Sequence, residues 1–264
     1  MAYLLKIGSK GLSRLKVVNQ LYNKESLHFL KNISLKSMKI IVDAGCGNGI
    51  MTTKLAKLAG PKATIIAMDQ SSEQIQLAKH TVMKANLTNV EFITDDVNHI
   101  TQYDLSPDLI YSRLLLIHQE DPLTTLENYR HILKPRGLLV CEEPITSHSF
   151  AYPNNPAFKE HLRLYTALGK INQRNFDLGN VLPEFFQQKA LTILKYRKVI
   201  NTFSNSSAKK IAYLRTKECA DKYLSLNLID SNRLEKLLGH LQAFYKDKNS
   251  CCSGVEMVQI IGRK

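Results

Sequence analysis

The chain has 264 residues, of which 44% are hydrophobic, and a formal net charge of +13 at pH 7. This length is enough for one large domain, or for one domain with a subdomain. No apolar run approaches the roughly 20 residues of a membrane span, and residues 1–16 lack the apolar core of a signal peptide. The five cysteines show no metal-ligand spacing, so we expect reduced thiols, no metal site and a cytoplasmic protein.

The positive charge is concentrated toward the two ends of the sequence. Residues 1–40 hold eight Lys or Arg and one acid, and residues 151–264 hold nineteen Lys or Arg and nine acids. Residues 41–150, by contrast, hold nine Lys or Arg and thirteen acids. Basic flanks occur in proteins that bind nucleic acid or anionic membrane, but more often they form a solvated surface. The acidic middle does not suit a polyanion, which needs positive charge beside the chemistry.

The first predicted element is a helix over residues 12–30, in which Leu12, Leu15 and Val18 fall on one side. From residue 38 onward, apolar runs alternate with helical segments. The apolar runs predict buried strands at residues 38–42, 63–68, 90–94, 107–111 and 137–141. The helical segments predict helices at residues 51–59, 72–85 and 122–133. This alternation predicts a parallel sheet that is covered on both faces.

After residue 143 the alternation gives way to a proline-rich loop. Further helices are predicted at residues 157–171, 177–189, 206–226 and 231–245, and further strands at 192–200 and 256–261. These helices exceed what the sheet needs as crossovers, so we expect a helical cap that closes over a mainly apolar substrate pocket. The cap contains many large apolar side chains that suit a planar or greasy substrate: Phe150, Tyr152, Phe158, Leu162, Tyr165, Phe176, Phe185 and Phe186.

A glycine-rich turn joins the first predicted strand to the helix after it, with glycines at positions 45, 47 and 49. Such a turn brings the backbone close to a nucleotide-like ligand and offers the free N–H groups of the helix N-terminus. On the glycines alone, a tight turn without a ligand is the simpler interpretation. The dinucleotide pattern G-x-G-x-x-G is not met, because position 50 is Ile, which disfavours a nicotinamide dehydrogenase. Asp43, just before the turn, would repel a pyrophosphate but suits an ammonium group.

Three successive strands are followed by acids, namely Asp43, Asp69 and the pair Asp95-Asp96. The carboxyl ends of parallel strands meet at one edge of the sheet, where ligands of open α/β folds bind. An acid at the tip of the second strand can accept hydrogen bonds from two ribose hydroxyls. The acids and the glycine turn therefore predict a single cleft.

In order and spacing, these motifs and the stretches 108–118 and 133–140 resemble the class I, Rossmann-like S-adenosylmethionine-dependent methyltransferases, in their small-molecule branch. The resemblance implies an α/β fold with a seven-stranded, mostly parallel sheet whose last strand is antiparallel, with helices on both faces and a helical cap. It divides the chain into four parts: an N-terminal helical lid (1–37), a cofactor-binding core (38–143), a helical substrate cap (144–191) and a C-terminal completion of the sheet with additional helices (192–264).

The resemblance also implies S-adenosylmethionine as the cofactor and names its contacts. Gly45, Cys46 and Gly47 would line the methionine moiety, and Asp43 would hold its amino group. Toward the nucleoside, the implied contacts are Asp69 and Gln70 on the ribose, and Asp96 with the Val97 backbone on the adenine. Gln74 stands where the family often has a Met packed on the adenine.

Other residues are expected to complete this cleft. Tyr3 and Arg14 resemble positions that reach the methionine end, where a guanidinium would suit the carboxylate; Arg14 is equally interpreted as a surface residue. Ser112 and Arg113 follow strand four into the cleft. Arg113 would bind an anionic group or, as we favour, pair with a neighbouring acid.

His118 is the candidate general base, because it follows strand four in the loop that faces the methyl group and its unperturbed pKa is about 6.5. It could instead only pack or cap that loop. Glu143, at the tip of predicted strand five, would bind a hydroxyl or amine of the substrate. Its neighbour Glu142 would point the other way, since adjacent strand residues face opposite sides.

The sequence thus predicts a methyltransferase that acts on a small molecule by direct in-line transfer without metal. A nucleic-acid methyltransferase that uses the basic flanks is one alternative, although Tyr111–Leu114 lacks the Asn/Asp-Pro-Pro-aromatic motif that stacks a flipped base. A cofactor-binding module without catalysis is another. The identity of the acceptor stays open.

Overall fold

A computed structural model describes residues 4–6 and 8–264 of the chain. The helices are α1 (Gly8–Leu30), α2 (Ile50–Ala59), α3 (Ser72–Lys84), α4 (Pro122–Ile132), α5 (Pro156–Ile171), α6 (Leu182–Gln188), α7 (Ser206–Glu218), α8 (Ala220–Ser225) and α9 (Ser231–Lys246). The strands are β1 (Ile40–Ala44), β2 (Thr64–Asp69), β3 (Val90–Thr94), β4 (Leu109–Arg113), β5 (Leu138–Ile145), β6 (Ala151–Tyr152), β7 (Thr192–Val199), β8 (Thr202–Phe203), β9 (Cys251–Ser253) and β10 (Glu256–Arg263). In this part of the chain, no helix is both long enough and apolar enough to cross a bilayer.

Seven strands form the main sheet, in the order β3-β2-β1-β4-β5-β10-β7. The neighbours from β3 to β5 pair in parallel, and β10 runs antiparallel to both β5 and β7. This confirms the predicted α/β fold with a mostly parallel sheet and an antiparallel last strand. The strand order reverses between β1 and β4, so their carboxyl ends flank the switch point at which ligands of such sheets bind.

The central strands read as continuous apolar runs because both faces of the sheet are covered. In β1, Val42 packs in the same cluster as Leu126 and Tyr129 of α4. Its neighbour Ile41 faces the opposite side, with Leu55 of α2 and Phe29 of α1. The alternation along one strand therefore fixes which helices lie on which face.

The helix starts follow the local capping chemistry. The carboxylate of Asp121 accepts the N–H groups of Leu123 and Thr124, and Pro122 is the first residue of α4. The hydroxyl of Ser71 accepts an N–H from the first turn of α3. These caps satisfy N–H groups that the helices leave unpaired.

The structure differs from the sequence prediction at strand five, at the helix over 206–226 and in a short second sheet. Strand five does not end at residue 141, because β10 pairs with β5 as far as Ile145. The helix predicted over 206–226 is two helices that meet at Cys219. The short sheet β6-β9-β8 was not predicted, since strands of two or three residues carry too little periodicity.

Candidate active site

A cavity of about 530 Å³ lies at the carboxyl ends of β1, β2 and β4 and is lined on another side by α1. Most of the side chains predicted for the site line it: Arg14, Asp43, Gly45, Cys46, Gly47, Asp69, Gln70, Gln74, Asp96, Val97, Arg113 and His118. The side chains of Ser112 and Glu143 are fully buried and do not line it. Tyr3, which was also predicted, lies outside the described residues. The cavity has the place and the size expected of a small-molecule site.

Two glycines of the turn serve different purposes, and both have positive φ angles. At Gly47 (φ 55°), an added Cβ would meet no atom within 4 Å, so the position keeps open space in the cavity wall. At Gly49 (φ 76°), an added Cβ would come within 2.7 Å of the Cα of Ala78 in α3. Gly47 thus lets a ligand approach the backbone, whereas Gly49 lets α2 and α3 pack closely.

Two carboxylates stand beside this turn, that of Asp43 buried and that of Asp69 half-buried. Asp43 accepts a hydrogen bond from the hydroxyl of Thr52 at 2.6 Å, and burial raises its pKa to about 6. Asp69 accepts the N–H of Gly47 at 3.0 Å and that of Ser71 at 2.9 Å, and burial raises its pKa as well. A carboxylate has about four acceptor sites, so both groups keep lone pairs for a ligand, and a cation beside Asp43 would favour its ionised form.

The next part of the wall is formed by α3 and the segment after β3. Asp96 accepts the N–H of Asn98 at 2.9 Å. Gln74 is buried, and within the described chain its side-chain oxygen has no hydrogen-bond partner. A buried acceptor left unpaired costs about 1–3 kcal/mol, so this position is suited to a ligand that brings an N–H donor. The amino group of an adenine would be such a donor, and the open wall at Gly47 and the anionic Asp43 and Asp69 suit the rest of S-adenosylmethionine.

Arg113 ends β4 and is held by α1. Its guanidinium donates to Asn23 and Ser26 at 3.0 Å each and to Asn19 at 3.2 Å. Ser26 in turn donates to the buried carboxylate of Glu142 at 2.7 Å. Arg113 therefore joins an acid through a hydroxyl and fixes α1 against the sheet, rather than pairing with the acid directly.

Arg14, from α1, also lines the cavity but has partners of its own. Its Nε lies 2.8 Å from Oε2 of Glu218, and its Nη2 donates to the carbonyl of Lys6 at 3.1 Å. Both charged side chains of this ion pair are buried. The sequence-based interpretation of Arg14 as a surface residue is thus wrong, and its contact with a methionine carboxylate stays a prediction.

Glu143 does not lie at the tip of a strand, because β5 continues to Ile145. The carboxyl group does not line the cavity, and it accepts the N–H groups of Leu115 (3.1 Å), Leu116 (2.8 Å) and Ile117 (3.4 Å). Burial raises its pKa to about 8. The predicted contact with substrate does not follow from this geometry, in which Glu143 anchors the turn that leads from β4 to His118.

His118 lines the cavity at the end of that turn, with its ring edge-on to Phe176 at 6.3 Å between centroids. Burial, together with the guanidinium groups of Arg14, Arg174 and Arg215, lowers its pKa to about 3. The imidazole is therefore neutral near pH 7, and it is a weaker base than the ordinary pKa assumed from the sequence would make it.

Several lining residues were missed by the sequence reasoning. Among them are Tyr22 of α1, Thr146 after β5 and Arg215 of α7. They come from elements far apart in the chain, so no local spacing connects them to the glycine turn. Of the aromatic residues expected over the pocket, Tyr165 lines the cavity, and the remaining ones divide between core and surface: Phe158, Phe176 and Phe186 are buried, Phe185 is packed against the core, and Phe150 and Tyr152 are 45% and 68% exposed.

Comparison with known proteins gives matches to methyltransferases. A family model described as a methyltransferase domain matches residues 35–216. A demethylmenaquinone methyltransferase of Lactococcus lactis subsp. lactis is 26% identical over 198 residues, which cover 66% of this chain and 76% of that protein. An uncharacterised methyltransferase of Schizosaccharomyces pombe is 26% identical over 153 residues, or 56% of this chain and 53% of that protein. The chain spans about half the length of several curated relatives that it matches.

Solved structures resemble the chain over most of its length. A candidate methyltransferase of Bacillus halodurans C-125 superposes with a TM-score of 0.61 at 15% identity, covering 91% of this chain and 99% of that one. The N-methyltransferase NodS of Bradyrhizobium japonicum WM9, solved with S-adenosyl-L-homocysteine, superposes with a TM-score of 0.52 at 15% identity, covering 91% and 86%. At these identities the similarity concerns the fold alone.

Proposed function

Because this chain belongs to the methyltransferase domain family, as a class I S-adenosylmethionine-dependent enzyme, we propose that it transfers a methyl group to a small-molecule acceptor bound in the cavity. The cofactor supplies the methyl group on a positively charged sulfur, which makes the group reactive without a metal. The residues of the chain have to orient the acceptor in line with that sulfur, exclude water and, where the acceptor needs it, take up a proton.

The observation that carries the proposal is the distribution of charge around the cavity. Asp43, Asp69 and Asp96 lie along the ends of β1 to β3, while His118 follows β4 and Arg215 comes from α7. We assign the acidic side to the cofactor, with Asp43 on the ammonium group and Asp69 on the ribose hydroxyls. The part of the cavity lined by His118 is then left for the methyl acceptor.

Gln74 and Asp96 would meet the adenine. The buried Gln74 oxygen has no hydrogen-bond partner within the described residues, so an amino group placed there would remove the cost of its desolvation. His118, which is neutral because of its low pKa, would accept a hydrogen bond from a hydroxyl or amine of the acceptor and hold it in line. In this proposal His118 orients the acceptor more than it removes a proton.

Two observations support a small acceptor over a nucleic acid. Three of the carboxylates of the chain line the cavity, and a polyanion would be repelled beside them. The matched Lactococcus protein is named for demethylmenaquinone, a small molecule.

The test is a transfer assay with radiolabelled cofactor, in which a metabolite fraction below 1 kDa, total RNA and total protein are offered separately. Label in the metabolite fraction, abolished in an Asp43→Asn variant, is the expected result. Calorimetry with S-adenosylhomocysteine on both proteins shows whether the loss follows from cofactor binding. Label in RNA at about 150 mM salt, where the screening length is about 8 Å, would overturn the small-molecule proposal.

A further inference from the structure

The cavity is also lined by a guanidinium whose Nε atom has no hydrogen bond to any described residue. Arg215, on α7, lines the cavity, and its Nε is buried without a hydrogen bond to any described residue. None of the ion pairs among the described residues involves Arg215. Arg215 as a whole is half-buried, but its buried Nε–H donor is unfavourable unless a ligand accepts a hydrogen bond from it.

This guanidinium lies over an aromatic ring. The Cζ atom of Arg215 lies 4.5 Å from the centre of the Tyr165 ring. Tyr165 in turn stacks with Phe176, with 4.3 Å between the ring centroids and an interplanar angle of 11°. Stacking occupies a face of the guanidinium and leaves its N–H edge, which includes Nε, for hydrogen bonds.

The surroundings of Arg215 are electropositive. Arg14 of α1 also lines the cavity and is already paired with Glu218. Burial lowers the pKa of His118, and Arg14, Arg174 and Arg215 lower it further. The positive field therefore reaches the part of the cavity that the proposed function leaves for the acceptor.

We propose that Arg215 binds a carboxylate carried by the methyl acceptor, so that the substrate of this enzyme is a small carboxylic acid. This inference rests on the proposed function for the place of the acceptor. A planar carboxylate can accept from Nε and one Nη of the same guanidinium in a bidentate pair, which fixes orientation as well as position. With the carboxylate held at Arg215, the nucleophilic atom of the acceptor is directed toward His118 and the methyl donor.

Binding of an anion at Arg215 has a second effect. The charge that depresses the pKa of His118 would be partly neutralised, and the pKa of the imidazole would rise when the acceptor binds. The enzyme would then have its better base in the complex with substrate. The same would hold for a phosphate in place of a carboxylate, so the experiment includes both.

The test is a binding measurement on the whole chain, with and without saturating S-adenosylhomocysteine. The probes are benzoate and hexanoate, their uncharged partners benzamide and hexanamide, and phenyl phosphate. The variants are Arg215→Gln and, as a matched control, Lys217→Gln, which removes an exposed positive charge two residues away on the same helix. Circular dichroism establishes that both variants are folded.

We expect the unmodified chain and Lys217→Gln to bind a carboxylate at least tenfold more tightly than its amide, and Arg215→Gln to lose that preference while its cofactor affinity stays within a few-fold. Equal binding of acid and amide by the unmodified chain, or no binding of either, would overturn the inference. So would a loss of cofactor affinity in Arg215→Gln, since Arg215 would then hold the cofactor's own carboxylate. Tighter binding of phenyl phosphate than of benzoate would overturn the assignment of a carboxylic acid and indicate that the acceptor is a phosphate ester. If S-adenosylhomocysteine does not bind at all, the proposed function fails, and the measurements without it still decide the role of Arg215.

Discussion

Replacing Glu143 by methionine should destabilise the protein by roughly 2–6 kcal/mol, whereas replacing it by glutamine should have a small effect. Its Oε1 accepts the N–H groups of Leu115 and Leu116 at 3.1 and 2.8 Å, beneath the turn that leads to His118. Each of these N–H groups left without an acceptor costs about 1–3 kcal/mol. Methionine has a similar length but no comparable acceptor, whereas glutamine keeps a carbonyl oxygen for both bonds.

The assay is urea unfolding at pH 7, followed by circular dichroism for the three proteins. Small domains are stable by only about 5–15 kcal/mol, so the methionine variant should unfold at a clearly lower urea concentration with an unchanged slope. Equal destabilisation by glutamine and methionine, or a methionine variant within about 1 kcal/mol of the unmodified protein, would refute the anchoring role. A glutamine variant that is fully stable but loses turnover would instead restore the predicted contact of Glu143 with substrate.

The pH dependence of the same unfolding gives an independent test. The pKa of Glu143 is raised by burial from an ordinary value of 4.5 to about 8. Between these values the unfolded chain has released its proton and the folded chain has not, so this group stabilises the fold fully below about pH 4.5 and loses that contribution as the pH rises to about 8. The free energy of unfolding of the unmodified protein, relative to Glu143→Gln, should therefore fall across this range and level off above it.

Other side chains of the site give predictions of the same kind. Asp69→Ala should weaken cofactor binding at least tenfold in calorimetry, because the ribose hydroxyls lose a charged acceptor; unchanged affinity in a folded variant would remove Asp69 from the site. Since the pKa of Asp43 is about 6, cofactor affinity should decline as the pH falls below 6, and a titration by calorimetry should find this dependence missing in Asp43→Asn. His118→Ala should lower turnover while cofactor affinity stays within a few-fold, and NMR of the ligand-free protein should find the ring neutral at pH 6; a protonated ring there would contradict the pKa of about 3.

The part of the site built from one continuous βα pattern could be predicted from the sequence. Asp43, Gly47 and Asp69 all line the cavity, because strand ends and glycine turns leave local signals that topology then brings to one edge. These signals depend on the backbone, which is why they could be recognised without knowledge of packing.

The features that could not be predicted depend on long-range packing. The environment of Glu143 is decided by β10, which pairs Val258 opposite it from the far end of the chain. The position of Arg215 is decided by how α7 packs on α1, where Val18 and Ile211 belong to the same cluster. The depressed pKa of His118 comes from burial and from guanidinium groups on three separate segments. The spacing of residues along the sequence does not predict these long-range contacts.

The order of the strands also has a consequence for how the protein is made. In the main sheet, β7 pairs with β10 alone, and β10 also completes the second side of β5. On a ribosome, β5 therefore keeps an open edge, and β7 has no neighbour, until residues 200–255 have been synthesised and β10 emerges. Over that interval the nascent chain presents unpaired strand edges, with Leu194 and Tyr196 on β7, which is the kind of surface that chaperones cover and that otherwise leads to aggregation. The ribosome thus has to synthesise β10 before strands β1 to β5 can be joined to β7 at the edge of the sheet.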